Sequence, residues 1–129
     1  MSKLSAKDLM VGDYVQVVPS MMPIKVAAVH SKKIAYHACT TKLAWVRSEW
    51  VIPIPLTSEI LEKNGWESYS HENTPIYGMI QGFEIVLAWM DYYWQLCVDG
   101  TIYRKIKIRY VHELQQELKL CGIEKEIKI

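Results

Sequence analysis

Apolar positions in the first fifty residues fall in short runs cut by prolines, glycines and polar pairs. Runs of that length bounded by turn signals read as strands. Tyr14, Val15, Val17 and Val18 follow a Gly12-Asp13 turn and predict a first strand, which ends in a loop bracketed by Pro19 and Pro23. Ile24 to His30, Ile34 to Cys39, Leu43 to Arg47 and Val51-Ile52 predict four more, with Ser31-Lys32-Lys33 as a polar turn. Five short strands with tight connections point to a small SH3-like β-barrel, a form that closes on itself and so removes exposed edges.

The pattern then changes. Pro53-Ile54-Pro55-Leu56-Thr57 reads as a stiff connector, because proline fixes φ. Thr57 or Ser58 can N-cap a helix over 58–64 with Glu59 in its first turn, and Asn64-Gly65 is a stop signal. Trp66 is expected to pack behind this helix, and 67–75 to form a polar loop. Ile76 to Gln81, Phe83 to Met90, Tyr92 to Val98 and Thr101 to Tyr110 predict an antiparallel sheet, with Asp99-Gly100 as a two-residue hairpin turn. In the last of these strands Ile102, Ile106, Ile108 and Tyr110 share one face, interrupted by Arg104, and Tyr103, Lys105, Lys107 and Arg109 share the other. Val111, Leu114, Leu118 and Cys121 make one stripe of a 3.6-residue period, so a helix is expected over 111–121 with Gly122 as its stop. The tail after Gly122 reads as a short strand or a frayed end. The expected class is α+β: a barrel over 1–56, then a helix, antiparallel sheet and second helix over 57–129, the two parts sharing a core.

Three stretches stand out together: Leu9-Met10-Val11-Gly12-Asp13-Tyr14-Val15, the PIPLTSEILEKNGW motif that runs from Pro53 to Trp66, and the YVHELQQ motif from Tyr110 to Gln116. In this order they resemble a family of small uncharacterised proteins of Bacteroidetes gut bacteria, their prophages and mobile elements. The middle motif is the most specific, since its Pro, Thr and Gly positions all agree. Trp66 stands where that family usually has Phe, and Gln116-Glu117 where it has Asn-Leu. The resemblance implies a fold and a bacterial or prophage setting, and no particular reaction.

Composition narrows the function classes. Half the residues are apolar, enough for a core and too many for a disordered chain. Three cysteines, Cys39, Cys97 and Cys121, make an odd set without CxxC spacing, so reduced thiols are expected rather than a disulfide framework. The first residues lack the apolar stretch of a signal peptide, and no apolar run is long enough to span a bilayer, so the expected location is cytoplasmic with no membrane partner. The net charge is +1 but uneven: residues 1–53 carry +4 (seven basic, three acidic), 54–100 carry −6 (one, seven) and 101–129 carry +3 (seven, four).

No catalytic or metal motif emerges. His37 and Cys39, with His30 nearby, would fall on one side of a strand, but structural zinc needs a second ligand pair, so no metal and no cofactor is expected. Glu59/Glu62 and Glu113/Glu117 have the spacing of any solvated helix face. His112, in the first turn of the last helix, is the histidine most open to a functional role, with hydrogen bonding to strand backbone as its structural alternative. The leading expectation is a non-enzymatic interaction module that binds a protein partner or itself. The alternative is a nucleic-acid-binding accessory protein using Tyr103, Arg104, Lys105, Lys107 and Arg109, where cations beside an aromatic can track phosphates and stack a base. Near-zero overall charge weighs against that alternative.

Overall fold

The computed structural model describes residues 8–18, 20–69, 74–80, 84–98, 101–123 and 125–129, with 101–105 as backbone only. These residues form eleven strands and two α-helices, an α+β chain. No helix among them is long and apolar enough to cross a membrane. The chain divides into two compact units, one running to Ile54 and resuming over Tyr110–Ile127, the other spanning Pro55–Arg109.

In the first unit β1 (Tyr14–Val17) pairs antiparallel with β2 (Met22–Lys25) and with β6 (Val51–Pro53). β3 (Ala28–His30), β4 (Lys33–Cys39) and β5 (Lys42–Arg47) form a second antiparallel sheet in the order β3-β4-β5. The segment between β2 and β3 crosses from one sheet to the other: Val26 N–H donates to Asp13 O and Ala27 N–H to Ala35 O, each at 2.8 Å. A single 3-10 turn, Ser48–Trp50, separates β5 from β6. The described ladders are therefore two three-stranded sheets and not the closed barrel expected from the strand spacing. Pro53, read as part of the connector, ends β6, on the sheet edge where a residue without an N–H is tolerated.

Leu9, Val15, Ile24, Val26, Ile34 and Val51 are buried together, with Val17, Tyr36 and Val46 packed on them. The last helix, α2 (Val111–Leu120), lies against β1, and its Val111 N–H donates to Ile54 O at 2.8 Å. It belongs to this unit, not to the sheet that precedes it as the expected division at 56/57 had it. The predicted stripe is buried at Val111, Leu114 and Leu118. The tail forms no strand among its described residues, yet it is held: the Gln115 side chain donates to Lys125 O at 2.9 Å and accepts from Ile127 N–H at 2.7 Å, and Ile123 and Ile127 are buried.

The second unit is a five-stranded antiparallel sheet, ordered β11-β10-β9-β8-β7, with helix α1 (Ser58–Lys63). Its strands are β7 (Glu67–Ser68), β8 (Ile76–Ile80), β9 (Glu84–Trp89), β10 (Trp94–Val98) and β11 (Thr101–Ile108). Thr57 Oγ1 caps α1 by accepting from Ile60 N–H at 3.3 Å. Gly65, at φ 83°, closes it, with Trp66 N–H reaching back to Leu61 O at 3.0 Å, and Trp66 is buried. β7 lies where a polar loop was expected: backbone pairing with Gly78 and Tyr77 makes a strand of Glu67-Ser68 without any apolar pattern. β10 begins two residues later than expected because Asp91 turns at φ 75° and Met90 N–H closes on Tyr93 O at 2.9 Å. The Asp99-Gly100 turn lies outside the described residues, as do Pro19 and 81–83.

Candidate binding face

The basic stripe singled out in the sequence lies on β11, an edge strand. Alternation holds where side chains are described: Ile106 and Ile108 turn inward, Lys107 and Arg109 are exposed. The side chains of Tyr103, Arg104 and Lys105 lie outside the described residues. Lys107 Nζ sits 4.9 Å from the centre of the Tyr93 ring, a cation–π contact on its own sheet. Lysines on an edge strand also guard it against pairing with another chain.

His112 is buried and stacks on Tyr110, with ring centres 5.9 Å apart and planes 9° from parallel. Its Nδ1 has no hydrogen-bond partner. Burial pushes its pKa down, against the pull of Asp13, Glu113 and Asp8. Asp13 is also buried. Its Oδ2 accepts from Met10 N–H and from Gln116 Nε2, each at 2.8 Å, while Oδ1 has no hydrogen-bond partner. Burial raises its pKa, although both donors and the nearby His112 and Lys119 oppose that. Gln116 Nε2 also reaches Asp8 O at 2.9 Å, and Lys119 Nζ donates to Val11 O at 2.8 Å. Gly12, at φ 98°, turns the chain under that ammonium, where a Cβ would come within 3.1 Å. These bonds tie the 8–13 turn to α2; they pin a fold rather than assemble a nucleophile and base.

The cysteines and remaining histidines do not converge either. A bulge falls between His37 and Cys39, so the regular alternation that would align them is broken. Cys39 is exposed, and its thiol pKa is lowered by hydrogen bonds from Thr41, backbone first. Cys97 and Cys121 are half-buried rather than fully in a core. Among the described residues no group of three or more His, Cys, Asp or Glu is placed to hold a metal ion.

What does converge is the outer face of β3-β4-β5. Ile34, Tyr36 and Val46 turn toward the core, so strand alternation sends their neighbours outward. Register then sets Lys33 opposite Arg47, Ala35 opposite Trp45 and His37 opposite Leu43, with His30 beside Lys33 and Ala28 beside Ala35 on the third strand. Directly opposed side chains lie about 5 Å apart, and successive pairs on one face about 7 Å. Trp45 is 52% exposed although its cross-strand partner Ala35 is fully buried. Leu43 is exposed at one end of this row, and the Lys33/Arg47 pair occupies the other. Beside that pair is a depression of about 440 Å3 lined by Lys32, Lys33, Arg47, Ser48 and Glu49.

Along the sequence the charge near Trp45 is one-sided. Residues 14–48 contain Lys25, Lys32, Lys33, Lys42 and Arg47 and no Asp or Glu, although Lys25, on β2, is ion-paired with Glu126. Glu49 is the nearest acid in sequence; its contact to Arg47 is 3.5 Å between two exposed side chains, the kind of pair that contributes little and exchanges readily. Division into broad blocks concealed this segment, because its cations were averaged with Asp8, Asp13 and Glu49. The acid-free run was the available signal. Compared with family models, with curated proteins and with solved structures, the chain matches none.

Proposed function

We propose that this protein is a non-enzymatic binding module and that its contact surface is the outer face of β3-β4-β5, recognising a negatively charged macromolecule. The observation that carries this reading is Trp45, a half-exposed ring directly across the strands from a buried alanine and one step along them from the opposed cations Lys33 and Arg47. Trp and Arg are the residues that interfaces favour, and here they stand next to each other on one open sheet face. The first unit suits an SH3-like barrel in finer detail: a meander of strands, a one-turn 3-10 helix, then a last strand returning to β1. That architecture hosts many functions, so the reading rests on the face and not on the fold. The PIPLTSEILEKNGW and YVHELQQ motifs support a bacterial or prophage setting, with the cytoplasm as the place of action.

Retention on an immobilised polyanion tests this. Heparin resin should hold the protein at low salt and release it as salt rises, because the attraction is screened. Charge reversal at Lys33 and Arg47 together should abolish retention while the thermal melt stays put, since both side chains are exposed. A protein that flows through at low salt overturns the reading.

A further inference from the structure

The Trp45 face differs from a merely basic patch in one respect: an open aromatic ring shares it with the cation pair Lys33/Arg47, one step along the strands. Acidic peptides are recognised by cation clusters and need no open ring. A duplex offers phosphates but keeps its bases stacked inside. Only a single strand presents both a phosphate chain and free base faces. Resting on the reading above, we propose that the partner is single-stranded nucleic acid, one base stacking on Trp45 while Lys32, Lys33 and Arg47 hold the adjoining phosphates.

The geometry fits each part of that contact. Trp45 leaves half its surface open, and its cross-strand partner Ala35 has no side chain tall enough to block the ring. The Lys33/Arg47 pair stands about 7 Å along the strands from Trp45, a single pleat repeat. The depression beside the pair, lined by Lys32, Lys33, Arg47, Ser48 and Glu49, gives a phosphate a concave seat with three cations to one acid. Arg47 is engaged by Glu49 only through an exposed contact, which a phosphate can displace. Leu43, past the ring, offers an apolar surface for the next base. Sequence preference is expected to be weak, because every base has a π face and no buried polar group on this face reads base edges.

The test is fluorescence anisotropy of labelled oligothymidylate and oligouridylate, a labelled duplex of equal length and a labelled polyglutamate, with heparin retention measured in parallel. The single strands should bind with Kd on the order of 1–100 μM near physiological salt. Trp45→Ala should weaken this about 5- to 100-fold, the range of one lost base stack, and Trp45→Phe should recover most of it. Neutralising Lys33 and Arg47 as glutamines should lower the slope of log K against log salt by about 1.4, at roughly 0.7 per phosphate. Circular dichroism and thermal melts of each variant separate lost binding from lost fold. If duplex or polyglutamate binds as tightly as the single strands and Trp45→Ala changes nothing, the single-strand inference falls while heparin retention leaves the polyanion reading standing. If heparin retention fails as well, both fall.

Discussion

Asp13→Ala removes one acceptor on which two parts of the first unit depend. The Oδ2 atom takes hydrogen bonds from Met10 N–H and Gln116 Nε2, both at 2.8 Å. Bonds to an ionised acceptor contribute about 1.5–3 kcal/mol each, so the gross loss is about 3–6 kcal/mol. Against this stands the burial of the carboxylate, whose Oδ1 has no hydrogen-bond partner. Its pKa is raised despite both donors, so for the charged form desolvation outweighs them, and the loss expected in the variant is that of leaving Met10 N–H and the Gln116 amide without their acceptor. A net loss of about 1–3 kcal/mol is expected, which at this chain length lowers Tm by roughly 4–12 °C. The pH dependence has a definite sign. Asp13 in the folded state has a pKa above 3.8, so between 3.8 and its raised value the native state holds more protons than the unfolded one. Native stability from this group therefore grows as pH falls through that window. The carboxylate also pulls the His112 pKa upward, and losing it makes acid harder on the variant. Both effects widen the gap between wild type and Asp13→Ala on acidification. Thermal melts by circular dichroism from neutral pH downward measure it. A variant as stable as wild type at pH 7, or a gap that narrows in acid, would refute the reasoning.

Three further outcomes are expected. His112→Phe should flatten the stability profile below pH 6.5: the folded pKa of His112 is depressed, so wild type loses stability as pH falls from 6.5 toward that value, and a denaturant titration at pH 7 and pH 5 shows whether the variant escapes the loss. Gly65→Val should cost more than about 1 kcal/mol, because φ 83° resists a β-branched residue, and an unchanged melting temperature would remove the capping argument for α1. Trp94→Phe strips the buried Nε1–H bond to Leu56 O at 2.9 Å while largely keeping ring contacts with Trp89 and Tyr77; a loss of about 1–3 kcal/mol in urea unfolding is expected, and no loss would mean that the Leu56 carbonyl finds another donor.

Elements whose signals are local were legible from the chain. The α1 cap and stop needed only Thr57 and Gly65, and the α2 stripe needed only its own period. Failures arose where partners decide. Glu67-Ser68 carries no strand pattern and becomes one because β8 offers a ladder. The tail has no periodicity that sets its path, which is fixed by the Gln115 amide bonding on both sides. Whether α2 joins the sheet before it or the strands at the other end of the chain is a long-range choice that no window of sequence contains. The face of β5 is the most telling case. Leu43-Ala44-Trp45-Val46-Arg47 alternates clearly, and hydrophobicity alone would turn Leu43 and Trp45 inward. The structure turns Val46 inward instead, in register with Ile34, and leaves the larger side chains outside.

That inversion bears on the weight given to net charge. A total of +1 argues against a polyanion partner only if the partner experiences the whole chain at once. At physiological salt, charges separated by more than about 8 Å are largely screened, so a ligand at Trp45 responds to its immediate neighbours. Those neighbours are Lys33 and Arg47, one pleat repeat away, with the acid Glu49 close by, in an exposed contact to Arg47. Acids remote in sequence neutralise the total without having to neutralise this face. The strands and turns that build this face, residues 28–47, carry Lys32, Lys33, Lys42 and Arg47 and no acid, and a phosphate-tracking surface gains from each acid omitted.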